Sequence, residues 1–158
     1  MLYETLVPSP LGDIRLRSDG EALTVLRFVG QRFDAPAPGA VVRDDLPVFA
    51  AARSWLTAYF SGHQLPPTPP LRPEGTAFRQ RCWQLMQRIP PGQTRSYGAL
   101  ASVLHSSARA VGGAAAHNPI LLIIPCHRIV GAGGQITGFA AGIERKIRLL
   151  AMEKGDQA

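Results

Sequence analysis

Cysteine is scarce in this chain: Cys82 and Cys126 are the only two among 158 residues. Two thiols close one disulfide at most. With four scattered histidines (His63, His105, His117, His127) they show no zinc-ligand spacing, so no metal site and no cofactor are expected. Nothing else points to an oxidising compartment, and both cysteines read as reduced thiols of an intracellular, cytoplasmic protein. No apolar run reaches the roughly 18 residues that a membrane helix needs, so no membrane partner is expected. The segment Met1-Leu2-Tyr3-Glu4-Thr5 lacks the basic-then-apolar pattern of a secretory signal. There are no internal repeats. Carboxylates are scarce where the chain is most basic: Leu71 to Ala158 carries four against eleven lysines and arginines, a net +7. Met1 to Pro70 has six arginines against seven carboxylates, a net −1, and the whole chain carries +6. A basic half of this kind suits a polyanion, of which nucleic acid is the usual one; a solvated basic face is the plainer alternative.

Local patterning is clear along most of the chain. Leu2–Val7, Ile14–Arg17 and Leu23–Val29 are short apolar or alternating runs, separated by Ser9-Pro10-Leu11-Gly12 and Asp19-Gly20. They predict a small antiparallel meander. Arg32–Asp45, with Pro36, Pro38 and Gly39, reads as a loop. Phe49, Ala52, Leu56 and Tyr59 recur at helical spacing, which predicts an amphipathic helix over Val48–Phe60 that stops at Gly62. The run Pro66-Pro67-Thr68-Pro69-Pro70 removes backbone donors and stops regular structure, which divides the chain into lobes 1–70 and 71–158. In the second lobe Thr76 is a helix cap, and Phe78, Cys82, Leu85, Met86 and Ile89 share one face, which makes Cys82 a core residue. Pro90-Pro91-Gly92 ends that helix. Ser96 caps a short helix reaching Leu104, and His105-Ser106-Ser107 turns into another over Ala108–Ala116. Two short helices with a tight turn suggest a helix-turn-helix, the second built of small residues that permit close approach. A last helix ends near Glu153, with Ile143, Ile147 and Leu150 as its expected inner face.

The chemistry is concentrated in Leu121-Leu122-Ile123-Ile124-Pro125-Cys126-His127-Arg128-Ile129-Val130. Large apolar residues halt at a proline, then a thiol, an imidazole and a guanidinium follow directly. An imidazole can take a thiol proton, and a nearby cation favours the thiolate. On its own the dipeptide is better read as a buried structural cysteine beside a surface His-Arg pair, because free cysteine is among the most buried residue types. Two glycine-rich stretches follow, Gly131–Gly134 and Gly138-Phe139-Ala140-Ala141-Gly142, whose amides can line a pocket.

Pro125-Cys126-His127-Arg128, with Arg109-Ala110-Val111-Gly112 and Asn118-Pro119 before it, resembles the O6-alkylguanine-DNA alkyltransferase family, the methylated-DNA–protein-cysteine methyltransferases. Gly75-Thr76-Ala77-Phe78, Trp83, Ile89-Pro90-Pro91-Gly92, Ser96-Tyr97-Gly98, Lys146, Leu149-Leu150 and Glu153 extend the likeness in the same order. The first lobe matches loosely, through Ser9-Pro10-Leu11-Gly12 and Tyr59-Phe60-Ser61-Gly62. The resemblance implies an α+β fold: a small antiparallel sheet with a helix, ribonuclease H-like and supporting, then a mostly helical lobe with a winged helix-turn-helix that binds DNA and carries the alkyltransferase site. It implies a single-turnover transfer of an alkyl group from O6 of guanine, less readily O4 of thymine, to the protein's own cysteine.

By that resemblance Cys126 is the nucleophile, His127 accepts its proton through a water, and Glu153 orients the imidazole. Asn118 is the hinge between recognition helix and cysteine. Tyr97 pushes on a phosphate and donates a hydrogen bond to the base, and Lys146 assists. Arg109 fills the stack left by a flipped base. Ala108, Ala110, Gly112, Gly113 and Arg128 join Arg109 and Tyr97 as DNA contacts, while Phe139, Ala140 and Ile129 wall the pocket. The partner is double-stranded DNA carrying alkylated bases, approached through its minor groove by a monomer. The loop departs from the family's usual tyrosine and paired glycines: Ala140 lacks a hydroxyl and Ala141 adds a methyl, which bears on the size of alkyl group accepted. Two other classes compete: a non-enzymatic alkylated-base-binding protein of the alkyltransferase-like type, against which Cys126 argues, and a Cys-His hydrolase, for which no oxyanion signature is evident.

Overall fold

Alternating side chains draw the first residues of the chain into three strands. In the computed structural model, which describes residues Met1–Gly155, these are β1 (Tyr3–Val7), β2 (Ile14–Ser18) and β3 (Leu23–Phe28). β1 pairs antiparallel with β2, and β2 with β3, so that Ile14, Leu16, Leu26 and Phe28 are buried. The predicted loop contributes a strand that its sequence hid: β4 (Val41–Val42) lies parallel to β1, giving the order β3-β2-β1-β4. Two residues are too few to show a period, and both are exposed, so no apolar pattern marks them. Alternation also misleads at Arg17, which is buried: it reaches Glu4 at 2.9 Å and the Ala35 carbonyl at 2.6 Å.

Helix α1 (Pro47–Ser61) starts with proline in its first turn, where no backbone donor is needed. It ends at Gly62, whose left-handed φ of 70° a side chain would disfavour. Phe49, Ala52 and Leu56 are buried, and the helix contacts β2 and β3. The first compact unit runs to Glu74, beyond the proline run, because Leu71 bridges to Leu23 and Arg72 donates to the Leu23 carbonyl at 2.8 Å.

The second unit begins at Gly75. α2 (Ala77–Met86) is capped by Thr76, whose hydroxyl accepts from the Arg79 amide at 3.2 Å. Cys82 and Met86 are buried, and so is Trp83, which the apolar face read from the sequence left out. Its Nε1 donates to the Ala114 carbonyl at 2.9 Å, so the indole is satisfied inside. Phe78 and Leu85 are only half-buried, and α2 stops before Ile89. β5 (Arg95–Ser96) leads into α3 (Tyr97–Val103), capped by Ser96, and then α4 (Ala108–Ala116), capped by Ser107. His105 takes a left-handed φ of 52° in the turn between them. β5 pairs parallel with β6 (Ile129–Val130), which follows a single 3-10 turn over Cys126–Arg128.

The last helix, α5 (Ile143–Glu153), is rotated from the expected face. Ile143 and Ile147 are 47% and 46% exposed, while Lys146 is fully buried. The inner stripe is Lys146, Leu149, Leu150 and Glu153: two charged side chains with partners inside outrank two isoleucines as core residues.

Candidate active site

Ile120 through Val130 are buried without a break, so the polar residues in that stretch must find partners within the protein. Leu122 adopts φ 71°, a strained value for leucine, and the chain folds back so that Ile124 bridges to Leu121. The fold-back sets Asn118 beside the cysteine. Its amide nitrogen donates to the Ile124 carbonyl at 2.8 Å and to Cys126 Sγ at 3.2 Å, while its oxygen accepts from the Ile120 amide at 2.9 Å. Asn118 closes α4, its own N–H donating to the Ala115 carbonyl, so this residue joins α4 to the thiol.

Cys126 is 2% exposed. Burial pushes its thiol up to about 11; the Asn118 hydrogen bond and the nearby Lys146 ammonium pull the other way. At neutral pH the resting group is therefore a thiol, with thiolate roughly one part in 10⁴. His127 follows. Its Nε2 lies 2.6 Å from Glu153 Oε2, and a carboxylate only accepts, so Nε2 carries the hydrogen. Nδ1 is therefore the basic nitrogen, and it has no partner among the described residues although it is buried. Burial holds the imidazole below its usual range, against the opposing pull of Glu153, and keeps it neutral.

Glu153 is held from two sides. Arg128 donates from Nε to Oε1 at 2.8 Å and from Nη2 to Oε2 at 2.9 Å, with Nη1 on the Ile89 carbonyl at 2.7 Å. Burial alone would push the carboxyl up; the bonds from His127 and Arg128 outweigh it and hold it well below the usual carboxylate range. Gly92, at φ 84°, packs where a Cβ would come 3.3 Å from the Glu153 carbonyl, which accounts for the glycine of Ile89-Pro90-Pro91-Gly92. Arg128 was expected on DNA. It is 5% exposed, with Nε, Nη1 and Nη2 all turned inward onto Glu153 and the Ile89 carbonyl rather than out toward a phosphate. The Ile129 side chain is likewise buried, and its carbonyl accepts from Lys146 Nζ at 2.6 Å. Burial draws the Lys146 ammonium below its usual range.

Tyr97 opens α3. Lys146 Nζ sits 5.9 Å from its ring centroid, and Thr137 Oγ1 donates to its hydroxyl oxygen at 3.3 Å. The Thr137 contact, across 40 residues, left no signal in the sequence. Phe139 is half-buried, its ring 6.3 Å from that of His127, and Ala140 beside it is also half-buried, whereas Ala141 turns inward. On α4, Ala108 and Arg109 are exposed, and Ala110, Gly112 and Gly113 are half-buried. A Cβ on Gly113 would meet nothing, and one on Gly112 would lie 3.9 Å from the Tyr97 ring. His117 Nδ1 is bonded to the Gly113 carbonyl at 2.8 Å.

A family profile for the 6-O-methylguanine DNA methyltransferase DNA binding domain matches residues 77–155, and one for the ribonuclease-like domain matches residues 2–73. The chain belongs to the 6-O-methylguanine DNA methyltransferase family. It is 44% identical over 156 residues to the methylated-DNA–protein-cysteine methyltransferase of Haemophilus influenzae, covering 97% of this chain and 87% of that one. It is 38% identical over 154 residues to the protein of that name from Methanosarcina acetivorans, covering 96% and 98%. Among solved structures it is similar to Mycobacterium tuberculosis OGT in complex with DNA, at TM-score 0.87 and 40% identity over 97% of this chain and 93% of that one. Family membership makes the fold that of a methyltransferase with a helix-turn-helix lobe. Among the described residues no three His, Cys, Asp or Glu gather as metal ligands, and no helix is long and apolar enough to cross a membrane.

Proposed function

We propose that this chain repairs alkylated DNA by moving an alkyl group from O6 of guanine, less readily from O4 of thymine, onto its own Cys126. The observation that carries this reading is a pair of contact sets on adjacent residues: Asn118 on the Cys126 thiol, and His127, Glu153 and Arg128 in series with the imidazole's basic nitrogen left over. The names of the relatives and the DNA-bound structure support the substrate class.

In this reading the thiol proton passes to His127 Nδ1 through a water, and Glu153 stabilises the imidazolium. The sulfur attacks the alkyl carbon, the carbon–O6 bond breaks, and its electron pair passes into the guanine, which is steadied by the Tyr97 hydroxyl. Lys146 keeps a positive charge beside both groups. The thioether is not reversed, so each molecule acts once and needs no cofactor. A thiol 2% exposed cannot reach a base stacked in a duplex, so the nucleotide is flipped out. Arg109 fills the gap from the exposed side of α4, and Ala108, Ala110, Gly112 and Gly113 let that helix approach the minor groove. The protein acts as a monomer on DNA inside the cell, with the unit before Gly75 in support.

Intact-mass measurement after incubation with duplex DNA containing O6-methylguanine tests the proposal. The expected result is one methyl group on the Cys126 peptide and a yield capped at one per protein. Binding without a mass change would leave an alkylated-base-binding protein instead, and repeated turnover of an ester would indicate a hydrolase. Arg109→Ala should slow transfer from duplex DNA by about 10- to 100-fold, the equivalent of a few kcal/mol of lost stacking. Its rate on a free alkylated base should stay near normal; equal losses on both substrates would remove the flipping role.

A further inference from the structure

Tyr97 is the one proposed base-contacting group whose hydroxyl is bonded to another side chain in the structure, and that side chain belongs to no motif. Thr137 Oγ1 lies 3.3 Å from the tyrosine oxygen, on the loop that two residues later presents Phe139 to the His127 ring. The ring is half-buried, and its backbone opens α3 directly after the Ser96 cap. A Cβ on Gly112 of α4 would lie 3.9 Å from its Cε1, and the Lys146 ammonium is 5.9 Å from the centroid. A phenol O–H bond turns freely about its C–O axis, and the Thr137 hydroxyl is placed to set its direction.

We propose that Thr137 is a positioning residue for alkyl transfer: its hydroxyl donates to the Tyr97 oxygen, which aims the phenol proton at the flipped base and stabilises the negative charge that gathers on that oxygen as the proton is shared. This rests on the functional reading above. A phenol oxygen accepts while its own hydrogen donates. If Tyr97 instead donated to Thr137, the acceptor on the base would enter a closed site without a partner, at the cost of a desolvated polar atom. The order threonine to tyrosine to base satisfies every member, and hydrogen bonds in one direction reinforce one another. The benefit grows as the tyrosine oxygen gains charge, so it falls on the transition state more than on the bound complex. Protons balance: the thiol's goes to His127, the departing guanine gains one through Tyr97, and imidazolium and phenol exchange the difference with water.

The test is single-turnover transfer from duplex O6-methylguanine at saturating protein. Thr137→Val keeps the shape and removes the hydroxyl; Thr137→Ser keeps the hydroxyl. Thr137→Val should lower the transfer rate constant about tenfold, the size expected for losing one hydrogen bond to a charged partner, with DNA affinity unchanged within about twofold. Thr137→Ser should restore the rate to within about twofold of the parent. In a Tyr97→Phe background Thr137→Val should have no further effect, because the oxygen it serves is gone. An unimpaired Thr137→Val, a serine variant as slow as valine, or additive losses with Tyr97→Phe would each overturn the inference alone. A parent protein that gains no methyl group would overturn the functional reading, and this inference with it.

Discussion

Cys126→Ala gains no mass from O6-methylguanine DNA and still binds the duplex with near-parental affinity. The sulfur is the atom that this substitution removes from the reaction, and Cys82 does not replace it: it is buried in α2, and among the described residues neither an imidazole nor an amide donor is bonded to its sulfur. Folding should survive. Asn118 loses its contact with Sγ but keeps the Ile124 carbonyl and the Ile120 amide, so its hinge geometry is retained. The exposed face of α4, on which Arg109 and Ala108 stand, is untouched. Binding by gel shift and transfer by intact mass separate the two properties. Retained methyl uptake by the alanine variant would remove Cys126 as the acceptor.

The second large effect is at Glu153. Glu153→Gln should cost about 3–5 kcal/mol of stability, since removing one partner leaves the Arg128 charge buried and unanswered. Transfer should fall on the order of 10²-fold, the scale of lost proton-acceptor assistance at His127. The pH dependence follows in sign. The folded carboxyl is held well below its ordinary value of 4.5, so its contribution is complete above that pH and drains away as the pH falls through the folded-state value. His127 acts in the same direction: burial keeps it neutral, so stability falls as the pH drops below 6.5 and the unfolded imidazole takes up protons first. The parent should therefore lose thermal stability steeply in acid. Glu153→Gln should show a shallower loss from a lower starting point, measured as melting temperature between about pH 3 and 7. Parallel melting curves for the two proteins, or equal stability at pH 7, would remove the buried carboxylate from the account.

Arg128 links these results to what a reader of the sequence sees. By the family resemblance the arginine directly after the Cys-His pair joins the DNA contacts, and only the structure shows it buried against Glu153 and the Ile89 carbonyl. The partners are separated by 25 and 39 positions, so no local pattern could signal them. The same holds for α5. Its periodicity is compatible with either Ile143 and Ile147 or Lys146 and Glu153 on the inner face, and apolar preference chose the wrong pair. Trp83, quoted for the family likeness but left off the apolar face of α2, is buried with its polar edge satisfied by the Ala114 carbonyl, 31 positions away.

Features set by neighbours a few residues apart were legible without coordinates. The meander, the α1 stop at Gly62, the Thr76, Ser96 and Ser107 caps and the tight turn before α4 each depend on a side chain within three or four positions of the backbone it serves. The motif around Cys126 was legible as chemistry for the same reason, since thiol and imidazole adjoin in the chain. What required folding was the long-range pairing: β4 against β1, Lys146 turned into the core, Arg128 onto Glu153, and Thr137 onto Tyr97. Burial makes an unpaired polar group costly, so each of these side chains takes whichever partner the packed chain brings within reach, and sequence distance has no say in that choice.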